Sequence, residues 1–169
     1  MKRGVDMARR FYELHRGDEY FAPAVSTILL PQSYLSLEYI LQRLNILTEV
    51  TYPVTAVTLK NTRTIDNQLG VFVYRHIQPA LYSGFEPGEY FGVRFYWASP
   101  AKALFDYLYF RPLPRRVRHS QWDLVDDLRL NLDDFMPESQ EEFAGYVEMS
   151  DSEKMIDILS NLRRTVWRP

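Results

Sequence analysis

Cysteine is missing from this 169-residue chain, and its absence excludes several kinds of site. Without thiols the protein can form neither disulfides nor a thiolate metal centre, and it has no cysteine nucleophile. Histidine is scarce as well, since His15, His76 and His119 are the only three and lie far apart in the sequence. We therefore expect neither a bound metal ion nor a cofactor.

The seven glycines form none of the loops that hold phosphate groups in nucleotide-binding proteins. Neither G-x-x-x-x-G-K-[ST] nor G-x-G-x-x-G occurs, and H-E-x-x-H and G-x-S-x-G are missing too. General acid–base catalysis would need two carboxylates in a cleft with separated pKa values. Two acidic clusters instead fall on predicted outer faces, where solvation explains them; they are Asp123, Asp126 and Asp127, and Asp133 and Asp134. We predict that the chain is not an enzyme and has no small-molecule substrate.

Long hydrophobic runs are missing too. The most apolar stretch, residues 20–41, is interrupted by Pro23, Pro31 and Glu38, so it cannot span a bilayer. The charged start MKRGVDMARR precedes no apolar segment and does not resemble a signal peptide. We expect a cytoplasmic chain with no membrane partner. Hydrophobic residues at 46% and charged residues at 25% are typical of a globular protein, and the length predicts one domain over 1–169.

The order of sequence patterns predicts an α+β fold with N-terminal helices, a small and mostly antiparallel sheet, and C-terminal helices. Helices are predicted over 3–14 and 23–30, and from Ser36, whose side chain suits a helix N-cap. Val54 to Leu59 and Gly70 to Ile77 alternate as strands do, and a further strand is predicted over 90–98. Weaker signals predict a short strand over 63–66.

Ser99-Pro100 predicts the start of a helix that reaches Phe110, because Ser caps and Pro suits the first helical position. Lys102 and Asp106, four residues apart, are expected to pair on its outer surface. A helical tail is predicted over 120–164, with helices over 120–130, 138–148 and 151–164. Ser150 and Glu153 are expected to form a capping box before the last helix.

Charge is unevenly distributed along the chain. Residues 1–119 hold 15 Lys and Arg against 10 Asp and Glu, a net charge of +5, whereas residues 120–169 hold 5 against 12, a net charge of −7. Such polarity is typical either of a charged binding face or of an acidic helical tail packed beside a neutral body.

Seven residues are candidates for binding a partner or a nucleic acid. Arg75 and His76 end the clearest strand; they serve either recognition or local structure, with Arg75 paired to a carboxylate and His76 bonded to the backbone. A proline-bearing basic stretch after Phe110 is either a solvated loop or a surface for phosphates and carboxylates. The complete candidate set is Arg75, His76, Lys102, Arg111, Arg115, Arg116 and Arg118.

Several of these stretches together resemble the antitoxin domain of the AbiEi family, the antitoxin component of abortive-infection phage-defence systems. The resemblance covers residues 33–110, and the helical tail follows the general plan of that family. The similar stretches are Ser33-Tyr-Leu-Ser-Leu-Glu38, Thr55-Ala-Val-Thr58, Gly70-x-Phe72-x-Tyr74-Arg75-His76-Ile77 and Ala98-Ser-Pro-x-Lys102-Ala-Leu-x-Asp106-x-Leu108-Tyr109.

The resemblance implies a non-enzymatic protein that neutralises a nucleotidyltransferase-like toxin and contributes to transcriptional regulation. Many members carry a winged helix before this domain. Only some 30 residues precede the similar region here, whereas a winged helix needs about 60, so we expect weak operator binding. The alternative is a stand-alone domain that binds DNA or RNA through the basic stretch and a strand face.

The basic stretch yields a first prediction. Changing Arg115, Arg116 and Arg118 together to Glu should leave the melting temperature nearly unchanged, because exposed ion pairs contribute under about 1 kcal/mol each. The same variant should weaken binding to a polyanion such as heparin and flatten its salt dependence. A variant that unfolds instead would show that these arginines form internal ion pairs with the acidic tail.

Overall fold

The computed structural model describes residues 10, 12–49, 53–112 and 123–167. Most of the helix expected over 3–14 lies outside these ranges, although residues 12–15 are helical. The remaining elements follow in chain order as helix α1 (Phe21–Leu29), strand β1 (Ser33–Leu35), helix α2 (Leu37–Arg43), strands β2 (Val54–Thr58), β3 (Arg63–Asn67) and β4 (Gly70–His76), a 3-10 turn (Pro79–Leu81), strands β5 (Phe85–Tyr90) and β6 (Val93–Ala98), and helices α3 (Pro100–Phe110), α4 (Leu124–Asp127), α5 (Pro137–Ser150) and α6 (Glu153–Thr165).

The six described strands form one mixed sheet in the order β3-β4-β2-β1-β6-β5. Three pairings are antiparallel, namely β1 with β2, β3 with β4 and β5 with β6. The pairings of β1 with β6 and of β2 with β4 are parallel. The α+β class, with helices at both ends of the chain, is thus confirmed.

Alternation along β4 fixes which side chains face the core. Phe72 and Tyr74 are both buried, and the Tyr74 hydroxyl donates a hydrogen bond to the carbonyl oxygen of Ser26 in α1 at 2.8 Å. Val73 and Arg75 point to the other face, with Val73 half-buried and Arg75 exposed. Because successive residues of a strand face opposite sides, the sequence pattern predicted this division correctly.

The start of α2 is held by a residue from the sheet. Ser36 occupies the N-cap position, but its side chain does not cap the helix. The Thr55 hydroxyl does so instead: it accepts a hydrogen bond from the Tyr39 amide at 3.0 Å and donates one to the Ser36 carbonyl oxygen at 2.7 Å. The prediction that Ser36 caps α2 through its hydroxyl is therefore wrong, because that hydroxyl has a buried partner elsewhere.

Helix α3 lies at the centre of the molecule. Ser99 caps it as predicted, its hydroxyl oxygen accepting the Lys102 amide at 3.1 Å, and Pro100 occupies the first turn. All residues from Ala101 to Leu108 are buried. A helix buried on all sides has no solvent face, so every polar side chain on it needs an internal partner.

Lys102 and Asp106 satisfy this requirement by pairing with each other. The Lys102 Nζ atom lies 2.7 Å from Asp106 Oδ1, and both side chains are completely buried. The other carboxylate oxygen of Asp106 accepts hydrogen bonds from the Ser36 hydroxyl at 2.7 Å and from the Tyr34 hydroxyl at 2.9 Å. The pair forms at the predicted spacing, but its predicted place on the outer surface is wrong because α3 is covered on every side.

Aromatic rings surround the ammonium group of Lys102. Its Nζ atom lies 4.8 Å from the ring centre of Phe105, 5.0 Å from that of Tyr146 and 5.9 Å from that of Tyr34. Burial lowers the pKa of Lys102 and raises the pKa of Asp106, because desolvation disfavours both charged forms. The ion pair, the hydrogen bonds to Asp106 and the ring faces oppose that cost.

Helices α5 and α6 pack against α3, and α4 packs against α6. The boundaries of all three differ from those predicted. Helix α4 is only one turn long, and the Asp123 carboxylate caps it by accepting the amides of Val125 and Asp126. Ser152 caps α6 by accepting the Met155 amide. Ser150 instead bonds to the carbonyl oxygen of Val147 in α5. The predicted capping box of Ser150 is therefore wrong.

Gly84 leaves the space in which Tyr146 lies beside Lys102. An added Cβ atom at Gly84 would lie 2.0 Å from the Tyr146 hydroxyl oxygen and 3.1 Å from the Lys102 Cβ atom. The φ angle of Gly84 is +76°, a backbone region that suits glycine. Gly92 has a similar φ of +78°, but nothing lies within 4 Å of its Cβ position.

These two glycines provide a matched test of the packing around the ion pair. Gly84→Ala should destabilise the fold by about 3 kcal/mol, which combines a left-handed backbone cost of about 1–2 kcal/mol with overpacking. Gly92→Ala should destabilise the fold only by the backbone cost of about 1–2 kcal/mol. Urea unfolding of both variants measures the difference, and equal losses would show that Tyr146 moves aside freely.

Candidate functional site

A groove opens on the sheet face that carries Arg75. It has a volume of about 590 Å³, within the range of ligand-binding clefts. Strands β2 and β4 supply its floor, and the start of α2 and the end of α3 supply its walls. The lining residues are Leu37, Glu38, Pro53, Thr55, Val73, Arg75, Tyr107, Phe110, Arg111 and Pro112.

Arg111 lies at the end of α3 and is held there by Tyr107. One guanidinium nitrogen donates a hydrogen bond to the Tyr107 hydroxyl oxygen at 2.9 Å, and the guanidinium carbon lies 5.3 Å from the centre of the same ring. Burial raises the pKa of Tyr107, so the phenol stays neutral as an acceptor. Arg111 itself is exposed, and its remaining N–H groups are directed by this anchor.

Arg75 is the second cation of the groove. It is exposed and forms no ion pair with any carboxylate among the described residues. Among the described residues, Arg75 therefore does not form the pair with a carboxylate that the structural alternative expects. His76 does follow its structural alternative: its Nδ1 atom lies 3.2 Å from the Lys60 carbonyl oxygen, and its amide donates to the Thr62 hydroxyl.

The wall formed by α2 contains a strained residue. Leu37 has a φ angle of +61°, a left-handed conformation that is unfavourable for a bulky side chain. Its neighbour Ser36 is fixed on both sides, by Asp106 through the side chain and by Thr55 through the backbone. This anchoring holds Leu37 and Glu38 at the edge of the groove, and no sequence signal had singled out Thr55 for such a role.

The seven candidate residues are separated by the fold. Arg75 and Arg111 come together in the groove, and His76 lies beside Arg75 on β4. Lys102 is completely buried and cannot touch a partner in this structure, so its predicted place in a binding surface is wrong. Arg115, Arg116 and Arg118 lie outside the described residues.

The acidic residues of the second half are mostly exposed. Asp126, Asp127, Asp133 and Asp134 all lie at the surface, as the solvation interpretation expected. Among the described residues, no three His, Cys, Asp or Glu side chains come close enough to hold a metal ion. Within the same ranges, no helix has the length and apolar character that crossing a membrane requires.

The assignment of Lys102 to folding can be tested by a double-mutant cycle. Lys102→Met and Asp106→Asn should each destabilise the protein by about 3–5 kcal/mol, because each leaves a buried group without its charged partner. The double variant should cost clearly less than both losses combined. Urea unfolding measures all three, and additivity within about 0.5 kcal/mol would show that the two residues do not interact.

Comparisons with known proteins complete the description of the site: no protein-family model, curated protein or solved structure matches this chain at a significant level.

Proposed function

We propose that this chain is a non-enzymatic binding protein that acts as the antitoxin-like component of a toxin–antitoxin pair. In this proposal the groove holds an anionic surface of a nucleotidyltransferase-like partner. One observation carries it: Arg75 and Arg111, two exposed cations far apart in sequence, line the same groove. The AbiEi resemblance supplies the kind of partner, and the groove supplies a place where it would bind.

The chemistry of the groove favours binding over catalysis. Its ionisable side chains are Arg75, Arg111, Glu38 and the phenol of Tyr107, whose pKa is raised. Guanidinium groups recognise carboxylates and phosphates well but are poor proton carriers, because they stay protonated. The one described lysine–carboxylate pair with shifted pKa values, Lys102 and Asp106, is sealed in the core away from any substrate.

The residues behind the resemblance connect to the groove through the buried network. Ser36 and Asp106, from two of the similar stretches, hydrogen-bond to each other at 2.7 Å. That bond fixes the residue next to Leu37, which lines the groove. Arg75, from a third similar stretch, lies on the floor. The similar stretches thus build and position one surface, as expected of residues that serve one binding function.

Nucleic-acid binding is the second candidate function. It is favoured by the guanidinium of Arg111, which lies against the Tyr107 ring at the rim of the groove. Arginine on an aromatic ring is a common neighbour of phosphate and of unstacked bases. The chain also continues from Pro112, at this rim, into the basic stretch that holds Arg115, Arg116 and Arg118.

Charge reversal in the groove tests both functions. The double variant Arg75→Glu and Arg111→Glu should lower affinity for the partner by at least about 100-fold, because each lost charge-assisted hydrogen bond is worth about 1.5–3 kcal/mol. The matched control is Arg16→Glu with Arg94→Glu, which changes the net charge equally at exposed residues outside the groove.

Two measurements separate the candidates. The first is rescue of growth by each variant in cells that co-express a nucleotidyltransferase-like toxin. The second is fluorescence anisotropy with a labelled 20-nucleotide RNA and a 20-base-pair duplex at several salt concentrations. Loss of rescue confined to the groove variant supports the antitoxin function, and loss of nucleic-acid binding alone supports the alternative. If neither changes relative to the control, the groove is not the binding site.

A further inference from the structure

A second cleft, of different chemistry, lies beside Trp97. By strand register Trp97 is on the sheet face opposite to Arg75: Arg75 aligns with Val57 and Tyr34, whereas Trp97 aligns with Leu35 and Ala56. The cleft has two adjoining parts, of about 330 Å³ and 240 Å³, and Leu44 and Pro100 line both. The two parts therefore adjoin at Leu44 and Pro100, between β6 and the start of α5.

One part of this cleft has an aromatic wall with a carboxylate beside it. Glu86 and Trp97 are cross-strand neighbours on β5 and β6, so their side chains lie next to each other on one face. Trp97 is half-buried, and its ring lies 5.6 Å from that of Tyr20. Glu86 is exposed and forms no ion pair with another described residue. The exposed Glu86 carboxylate beside this aromatic wall is a suitable partner for a basic side chain.

The arginine in this cleft does not oppose an incoming cation. Arg43 forms an ion pair with the Glu19 carboxylate, and its guanidinium also donates to the Glu19 carbonyl oxygen at 3.2 Å. It lies 5.6 Å from the ring centre of Trp97 and 5.7 Å from that of Tyr39. Glu19 thus neutralises Arg43, which forms a fixed wall, and Glu86 is the cleft carboxylate of this part that pairs with no cation among the described residues.

The other part of the cleft adds a second carboxylate and an apolar surface. Asp134 lines it, is exposed, and has no ion-pair partner among the described residues. Leu44 is 42% exposed and Met136 is 60% exposed, so apolar side chains are accessible between the two carboxylates. An occupant that complements both parts needs positive charge at two places and apolar groups between them.

We propose that this cleft binds a basic, partly apolar segment of a partner protein, with one Lys or Arg side chain at the Glu86 carboxylate beside Trp97 and a second near Asp134. Charge complementarity selects this occupant, because an acidic segment or a phosphate backbone would be repelled by the exposed carboxylates of Glu86 and Asp134. The site is independent of the groove that holds Arg75 and Arg111.

The test uses the full chain and a fluorescein-labelled ten-residue peptide amide in which Lys recurs every third residue between Leu residues. Anisotropy should report binding of this peptide and none of its counterpart with Glu in place of Lys. Glu86→Gln and Asp134→Asn should each weaken binding by about threefold, and together by about tenfold, as expected for partly exposed charge pairs.

Matched controls are available next to each carboxylate. Glu89→Gln on the same strand and Asp133→Asn in the same loop remove exposed acids that do not line the cleft. Each control should weaken binding by less than half of the roughly threefold change that each single cleft variant causes. Equal weakening by the controls would mean that the peptide is attracted by the acidic surface in general and would overturn the proposal. So would the absence of binding at 100 µM protein, or equal binding of the Glu peptide.

Discussion

Lys102 and Asp106 lie one turn apart on α3, and the buried ion pair between them joins three parts of the fold. Asp106 reaches the sheet through Tyr34 and the start of α2 through Ser36. Lys102 lies against Tyr146 of α5, whose hydroxyl donates to Glu142 at 2.7 Å. Ser99 donates to the same carboxylate at 2.6 Å, so the cap of α3 joins this arrangement. A buried charge left without its partner is costly, so these parts must assemble in one way.

The abundance of tyrosine has a structural explanation in this arrangement. Besides Lys102, three other cations of the described part of the chain lie over tyrosine rings: Arg43 over Tyr20 and Tyr39, Arg111 over Tyr107, and Lys154 over Tyr109. A ring face stabilises a cation whose access to water is reduced, and the phenol hydroxyl adds a hydrogen bond where geometry allows. Tyr107 makes both contacts with Arg111, through its ring and through its hydroxyl. The guanidinium is therefore oriented by the fold itself.

The uneven charge along the sequence does not map directly onto surfaces in three dimensions. The basic groove takes its cations from β4 and from the end of α3, and the cleft beside Trp97 takes its carboxylates from β5 and from the loop before α5. Segments of both halves of the chain therefore contribute to the cleft. The two concave surfaces therefore differ in charge and are complementary to chemically distinct groups.

Local sequence determined the features that depend on neighbours in the chain. Ser99-Pro100 starts α3, and β4 alternates between buried Phe72 and Tyr74 and exposed Arg75 because a strand turns successive residues to opposite faces. Only the tertiary structure decided what lies next to what. The spacing of Lys102 and Asp106 ensures their contact but not its burial, because that depends on whether other elements cover the helix face. The meeting of Arg75 with Arg111, and the capping of α2 by Thr55, likewise require strands and helices distant in sequence to pack, and no local pattern encodes such contacts.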